Sequence, residues 1–97
     1  MYRDFSNRLS QDFLSINRDE YIVLTDKIVN NFKLISHTKL VNGIDEIFQE
    51  FKTDNKIVSL EWDNWSGYSV VAINSLAEDL LEDICKFIED YISKKLM

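Results

Sequence analysis

Reactive side chains are few in this chain. The one histidine, His37, has no serine or cysteine nucleophile motif around it, so it reads as a surface or structural residue rather than a general base. The one cysteine, Cys85, permits no internal disulfide. It falls at the margin of an apolar helical arc, where a thiol packs as a small hydrophobe. Gly43 and Gly67 are isolated and form no phosphate-binding loop. The densest carboxylates, Glu78, Asp79, Glu82 and Asp83, are spaced to line one solvated side of a helix rather than to converge on a metal ion. The residues therefore imply no catalytic group, no metal site and no cofactor, and the expectation is a protein that is not an enzyme.

One stretch stands apart, Glu61-Trp62-Asp63-Asn64-Trp65-Ser66-Gly67-Tyr68. Ahead of it Val58, Leu60 and Trp62 alternate with Ser59, Glu61 and Asp63, the pattern of a strand with one buried face. After the polar break the run Tyr68 to Ile73 is rich in β-formers, which predicts a hairpin over about 56–63 and 67–74. A four-residue turn from Asn64 to Gly67 places Asp63 opposite Tyr68, Leu60 opposite Val71 and Val58 opposite Ile73. Gly67 is expected to take the positive-φ position. In that register Trp62 enters the core, while Tyr68 and Val70 share the outer face with Glu61 and Asp63. Trp65 sits in the turn itself. The face is either aromatic surface ringed by acids or is covered by another segment, with Trp65 stapling the turn. Exposed aromatics with acids around them suit a docking site for a basic partner.

The elements that must position this hairpin follow from periodicity. Ser75 and Glu78 suggest a capping box ahead of a long amphipathic helix over 75–95, with Leu80, Leu81, Ile84, Ile88, Tyr91 and Ile92 on one side. Tyr2, Phe5, Leu9, Phe13 and Ile16 recur at helical spacing and predict a helix over 2–15. Leu24, Ile28 and Phe32 favour another from Glu20 to about Lys33, although Tyr21 to Leu24 also fits a strand. Residues 34–41 are either an edge strand or an extended link. Asn42 is placed to cap a third helix carrying Ile44, Ile47, Phe48 and Phe51. The expected architecture is a single α+β domain over 1–97, a small antiparallel sheet built on the hairpin and packed against three to four helices.

Ninety-seven residues bound the chain to one modest core. Its net charge of −6 is concentrated late, since residues 56–97 hold eight acids and four bases, a balance of −4. A nucleic-acid binder would show the opposite bias, so the partner expected is a basic protein and not nucleic acid. No apolar run approaches the roughly 20 residues that cross a bilayer, and the N-terminus has no signal-peptide core. Neither a membrane partner nor export is implied, and the expected compartment is the cytoplasm.

The Glu61-Trp62-Asp63-Asn64-Trp65-Ser66-Gly67 hairpin followed by an acidic helix resembles small bacterial immunity proteins. These are the kind paired with contact-dependent growth-inhibition toxins and related polymorphic toxins. The likeness covers roughly residues 42–92 and rests on that one short motif. The all-helical colicin-nuclease immunity proteins, also small and acidic, differ by lacking the hairpin. The resemblance implies a non-enzymatic inhibitor that binds one cognate toxin domain, often a nuclease, and occludes its active site or basic surface. The partner-binding residues expected from the sequence are Trp65 and Tyr68 as anchors, with Glu61, Asp63, Glu78, Asp79, Glu82 and Asp83 supplying charge. The alternative is a self-associating adaptor that dimerises through an exposed hairpin edge or aromatic face.

Overall fold

The computed structural model describes residues 1–96. Seven strands form one antiparallel sheet: β1 (Tyr2–Arg3), β2 (Leu9–Phe13), β3 (Ile35–Ser36), β4 (Val41–Asn42), β5 (Glu46–Thr53), β6 (Lys56–Asp63) and β7 (Gly67–Ala72). Their spatial order is β1-β2-β7-β6-β5, with β3 and β4 both pairing along the outer edge of β5. Two helices, α1 (Tyr21–Phe32) and α2 (Glu78–Lys95), are each entered through a short 3-10 turn. No described helix is long and apolar enough to cross a membrane.

The expected set of three to four helices is thereby corrected to two among the described residues. The segment 2–15 is a β-hairpin, and Asn42 leads not into a helix but through a tight loop into β5. In both places the apolar residues that reach the core are four apart, Leu9 and Phe13 in β2 and Ile47 and Phe51 in β5. A spacing of four lies close to one helical turn and is also two strand repeats, so it satisfies either period. The Ser75–Glu78 capping box is corrected as well. No side chain caps α2, which starts after the 3-10 turn at Ser75–Ala77, and Glu78 instead receives Arg3.

Both helices pack on one face of the sheet. Leu24 and Ile28 of α1 and Leu81, Ile84 and Ile88 of α2 join Val58, Leu60, Val70 and Ala72 in a single core. Two polar ties join the helices: the Glu20 carboxylate accepts from Lys95 Nζ at 2.6 Å and from the Tyr91 hydroxyl at 2.9 Å. Lys33 ends α1 in a left-handed conformation without a glycine, and the Leu34 N–H returns to the Val29 carbonyl at 3.0 Å.

The register of the central hairpin differs by one residue from the sequence expectation. Asp63 pairs with Gly67, Trp62 with Tyr68, Leu60 with Val70 and Val58 with Ala72. The connection is thus Asn64, Trp65 and Ser66, and Gly67 belongs to β7. Shifting β7 by one exchanges its faces while leaving those of β6 alone. Tyr68 and Val70 therefore turn inward beside Trp62 and Leu60, and Ser69 and Val71 take the outer face with Glu61 and Asp63. The expected outer placement of Tyr68 and Val70 is corrected on this ground.

Gly67 sets that register. Its φ is +70°, and a Cβ there would lie 2.3 Å from the Phe13 carbonyl oxygen and 2.8 Å from the Leu14 Cα. Both the left-handed backbone and the contact with β2 exclude a side chain. Gly67→Ala is expected to lose about 3 kcal/mol of unfolding free energy, from a left-handed penalty of roughly 1–2 kcal/mol plus overpacking of similar size. Urea unfolding measures it, and a loss below about 1 kcal/mol would show that the strand junction relaxes around the methyl group.

Candidate functional site

The residues singled out by sequence are distributed over three environments. Tyr68 is removed from the surface altogether, with 0% exposure. Its ring lies 5.5 Å from that of Tyr21, and its hydroxyl shares a 2.7 Å hydrogen bond with Thr25. The Tyr21 hydroxyl donates to the Leu60 carbonyl at 2.6 Å. Tyr68 is a core residue that ties α1 to the sheet. Trp62 is likewise internal, its indole N–H donating to the Ile16 carbonyl at 2.9 Å.

Glu78, Asp79, Glu82 and Asp83 lie on α2, on the helical side of the molecule. Arg3 engages Glu78 with both terminal guanidinium nitrogens, Nη1 and Nη2, at 2.7 and 3.1 Å, and Lys56 reaches Asp79 at 2.8 Å. Those bonds hold both carboxyls below their ordinary range. Glu82 and Asp83 are exposed. Two of the four expected charges are therefore already matched within the chain.

Glu61, Asp63 and Trp65 remain together at the other side. Alternation places Ser59, Glu61 and Asp63 of β6 on the face that carries no helix. The register sets Ser69 and Phe48 on either side of Glu61, and Asp12 beyond Ser69. Glu46 lies across from Asp63, and Glu50 across from Ser59. Hydroxyls fix two of these carboxylates: Ser59 donates to Glu61 at 2.6 Å, and Ser69 donates to Asp12 at 2.7 Å. Tyr2 donates to the same Asp12 oxygen at 3.0 Å. Glu46 and Glu50 belong to this acidic face and escape sequence reasoning, because the spacing within β5 predicts a helix.

Trp65 projects from the turn at the end of this face and is 76% exposed. Asp63 Oδ1 accepts from the Trp65 N–H at 2.8 Å and from the Ser66 N–H at 2.7 Å, so the turn that presents the indole is pinned by a carboxylate. Leu14, at the end of β2 beside Gly67, is 75% exposed, and Ile44, in the β4–β5 loop, is 93% exposed. The Asn64 amide donates to Asp45 at 3.0 Å and joins the loop carrying Ile44 to the turn carrying Trp65. Nothing in the spacing of Leu14 or Ile44 marks them, since each falls in a segment whose period predicts a helix.

His37 is exposed in the link between β3 and β4, its backbone N–H donating to the Glu50 carbonyl at 2.9 Å. Cys85 is buried among the core residues of α2, and burial pushes its thiol up to about 12. Among the described residues no group of three or more His, Cys, Asp or Glu is placed to hold a metal ion. Comparison with known proteins finds no matching family model, no matching curated protein and no matching solved structure.

Burial raises the Glu61 carboxyl above its ordinary range; Ser59 and Arg8 oppose the rise, and the charges of Asp63 and Glu46 add to it. The folded chain thus holds this proton more tightly than the unfolded chain. Stability attributable to Glu61 is greatest below the unfolded pKa and falls as pH rises through the raised folded value. Glu61→Gln is expected to be more stable than the parent near neutral pH and equal to it below about pH 4, under the ordinary glutamate pKa. Thermal unfolding at both pH values measures the difference. An equal gap at the two values would detach Glu61 from the pH response.

Proposed function

We propose that the chain is a non-enzymatic immunity protein that acts in the cytoplasm by binding and neutralising a basic toxin domain of the nuclease class, through the helix-free side of its sheet. The observation that carries this reading is Trp65, an indole left in solvent on a turn that Asp63 holds rigid. Exposing a large aromatic side chain on an ordered turn forgoes the burial that would otherwise stabilise the fold, and aromatic anchors of this kind dominate binding energy at interfaces. The carboxylates of Asp12, Glu46, Glu50, Glu61 and Asp63 extend from it across the open face. Such a face competes with an anionic substrate for a basic cleft. The acids of α2 lie on the other side of the sheet, and a standard footprint of about 800 Å² per partner does not reach round to them.

Dimerisation through the hairpin edge has no support in the topology. β6 is flanked by β5 and β7, and β7 by β6 and β2, so neither hairpin strand has a free edge.

The test uses the purified product of the gene immediately upstream, where the cognate toxin of such a system is encoded. Binding is expected, with association slowing as salt rises. Trp65→Ala is expected to weaken it at least tenfold, about 1.4 kcal/mol. Glu46→Lys, on an exposed residue with no side-chain partner, is expected to slow association while leaving the fold intact. No binding, or an affinity within threefold of the parent for both variants, would overturn the reading.

A further inference from the structure

Arg18 does something unusual for a surface cation. Its guanidinium donates to the Ile44 carbonyl at 2.7 Å, the Gly43 carbonyl at 2.6 Å and the Asn42 side-chain oxygen at 2.8 Å. The same group lies 5.7 Å above the Trp62 ring. One side chain from the turn before α1 therefore holds the last residue of β4 and the first two residues of the β4–β5 loop. The Gly43 N–H closes that loop on the Glu46 carbonyl at 2.8 Å, and Asn64 holds its far side through Asp45. The result is a three-residue loop fixed from two directions whose central side chain, Ile44, points into water.

We infer that Leu14, Ile44 and Trp65 form one preorganised apolar ridge, with Arg18 as the residue that positions Ile44 in it. Its occupant is the basic protein partner of the preceding section, through an apolar pocket rimmed by lysine or arginine. The inference rests on that section for the partner's class and extends it in naming the contact. Fixing a loop before binding removes the ordering cost that a mobile loop would incur on association. Charge selects the occupant. The segments 13–19, 42–46 and 63–67, which build this end, hold four carboxylates (Asp19, Asp45, Glu46, Asp63) against one base, Arg18. Arg18 itself is turned into the loop rather than offered outward. A second copy of the same end would meet this charge with its own, whereas a basic rim complements it.

Photo-crosslinking in the native host tests the ridge and captures its occupant in one step. Leu14, Ile44, Trp65 and, as a control on α2, Glu82 are each replaced by p-benzoyl-phenylalanine, and the adducts are identified by mass. The expected result is that the first three positions trap one and the same basic protein, and that the Glu82 position does not. Adding Arg18→Lys, which offers a single ammonium in place of the guanidinium fork, is expected to cut the yield at Ile44 at least threefold. The yield at Trp65 should stay within twofold, a split that general loss of folding would not produce. Adducts at Trp65 alone, adducts with a second copy of the chain, equal yields from all four positions, or none, would each overturn the ridge. So would an Ile44 yield that Arg18→Lys leaves unchanged or lowers in step with Trp65. If the three positions trap a basic protein that is not a toxin, the ridge stands and the immunity reading falls.

Discussion

The left-handed backbone at Gly67, wedged against the end of β2, is the constraint from which the other placements follow. It closes the hairpin with three residues and so sends Tyr68 inward, where the phenol meets Thr25 and the ring meets Tyr21. Helix α1 is thereby located on the sheet. Ser69 and Val71 are left on the outer side, and the small serine side chains let the neighbouring carboxylates settle close to the sheet surface. The same junction sets the β2 terminus next to the turn, so that Leu14 and Trp65 emerge at one end of the molecule. A single backbone conformation thus decides both what the core contains and what the surface offers.

The distribution of charge has a comparable logic. On the helical side three acids have cationic partners from distant segments, Arg3 for Glu78, Lys56 for Asp79 and Lys95 for Glu20, while Glu82 and Asp83 stay exposed. These pairs sit at element ends and join segments distant in sequence. On the sheet side Asp12 and Glu61 are satisfied by serine and tyrosine hydroxyls. A hydroxyl fixes a carboxylate in place without cancelling its charge. Three carboxylates of the helical side are thus neutralised from within, whereas Asp12 and Glu61 on the sheet side are held by hydroxyls that leave their charge in place.

Sequence reasoning locates the last helix and the central hairpin because each shows a sustained period. Ser59, Glu61 and Asp63 interrupt the apolar residues of β6 at every second position, and α2 carries its stripe along its length. It fails at β2 and β5 for a definite reason. In each strand the middle inward position is a glutamine, Gln11 between Leu9 and Phe13 and Gln49 between Ile47 and Phe51, which erases the alternation and leaves a helix-like spacing. Phe5 reinforces the error, because this exposed residue of the β1–β2 turn falls in step with a helical stripe. Of the site, Glu61, Asp63 and Trp65 are legible because the hairpin is. Tyr68 is misplaced by one residue of register. Ile44 and Arg18 are invisible, since what distinguishes them is a set of hydrogen bonds between loops 24 to 26 residues apart.

The outermost strands are two residues long, and the chain contains no proline. Between β3 and β4 the gap along β5 is filled by the backbone N–H groups of His37 and Thr38, both donating to the Glu50 carbonyl, and by the Thr38 hydroxyl accepting the Glu50 N–H. A seven-stranded sheet with one bare face would ordinarily be prone to fibril growth by recruiting strands from other molecules. Here that growth finds little template at the β5 margin, because brevity and a threonine take the part that proline plays elsewhere. The protein can therefore leave a whole face of its sheet uncovered without inviting its own kind to stack along the β5 edge.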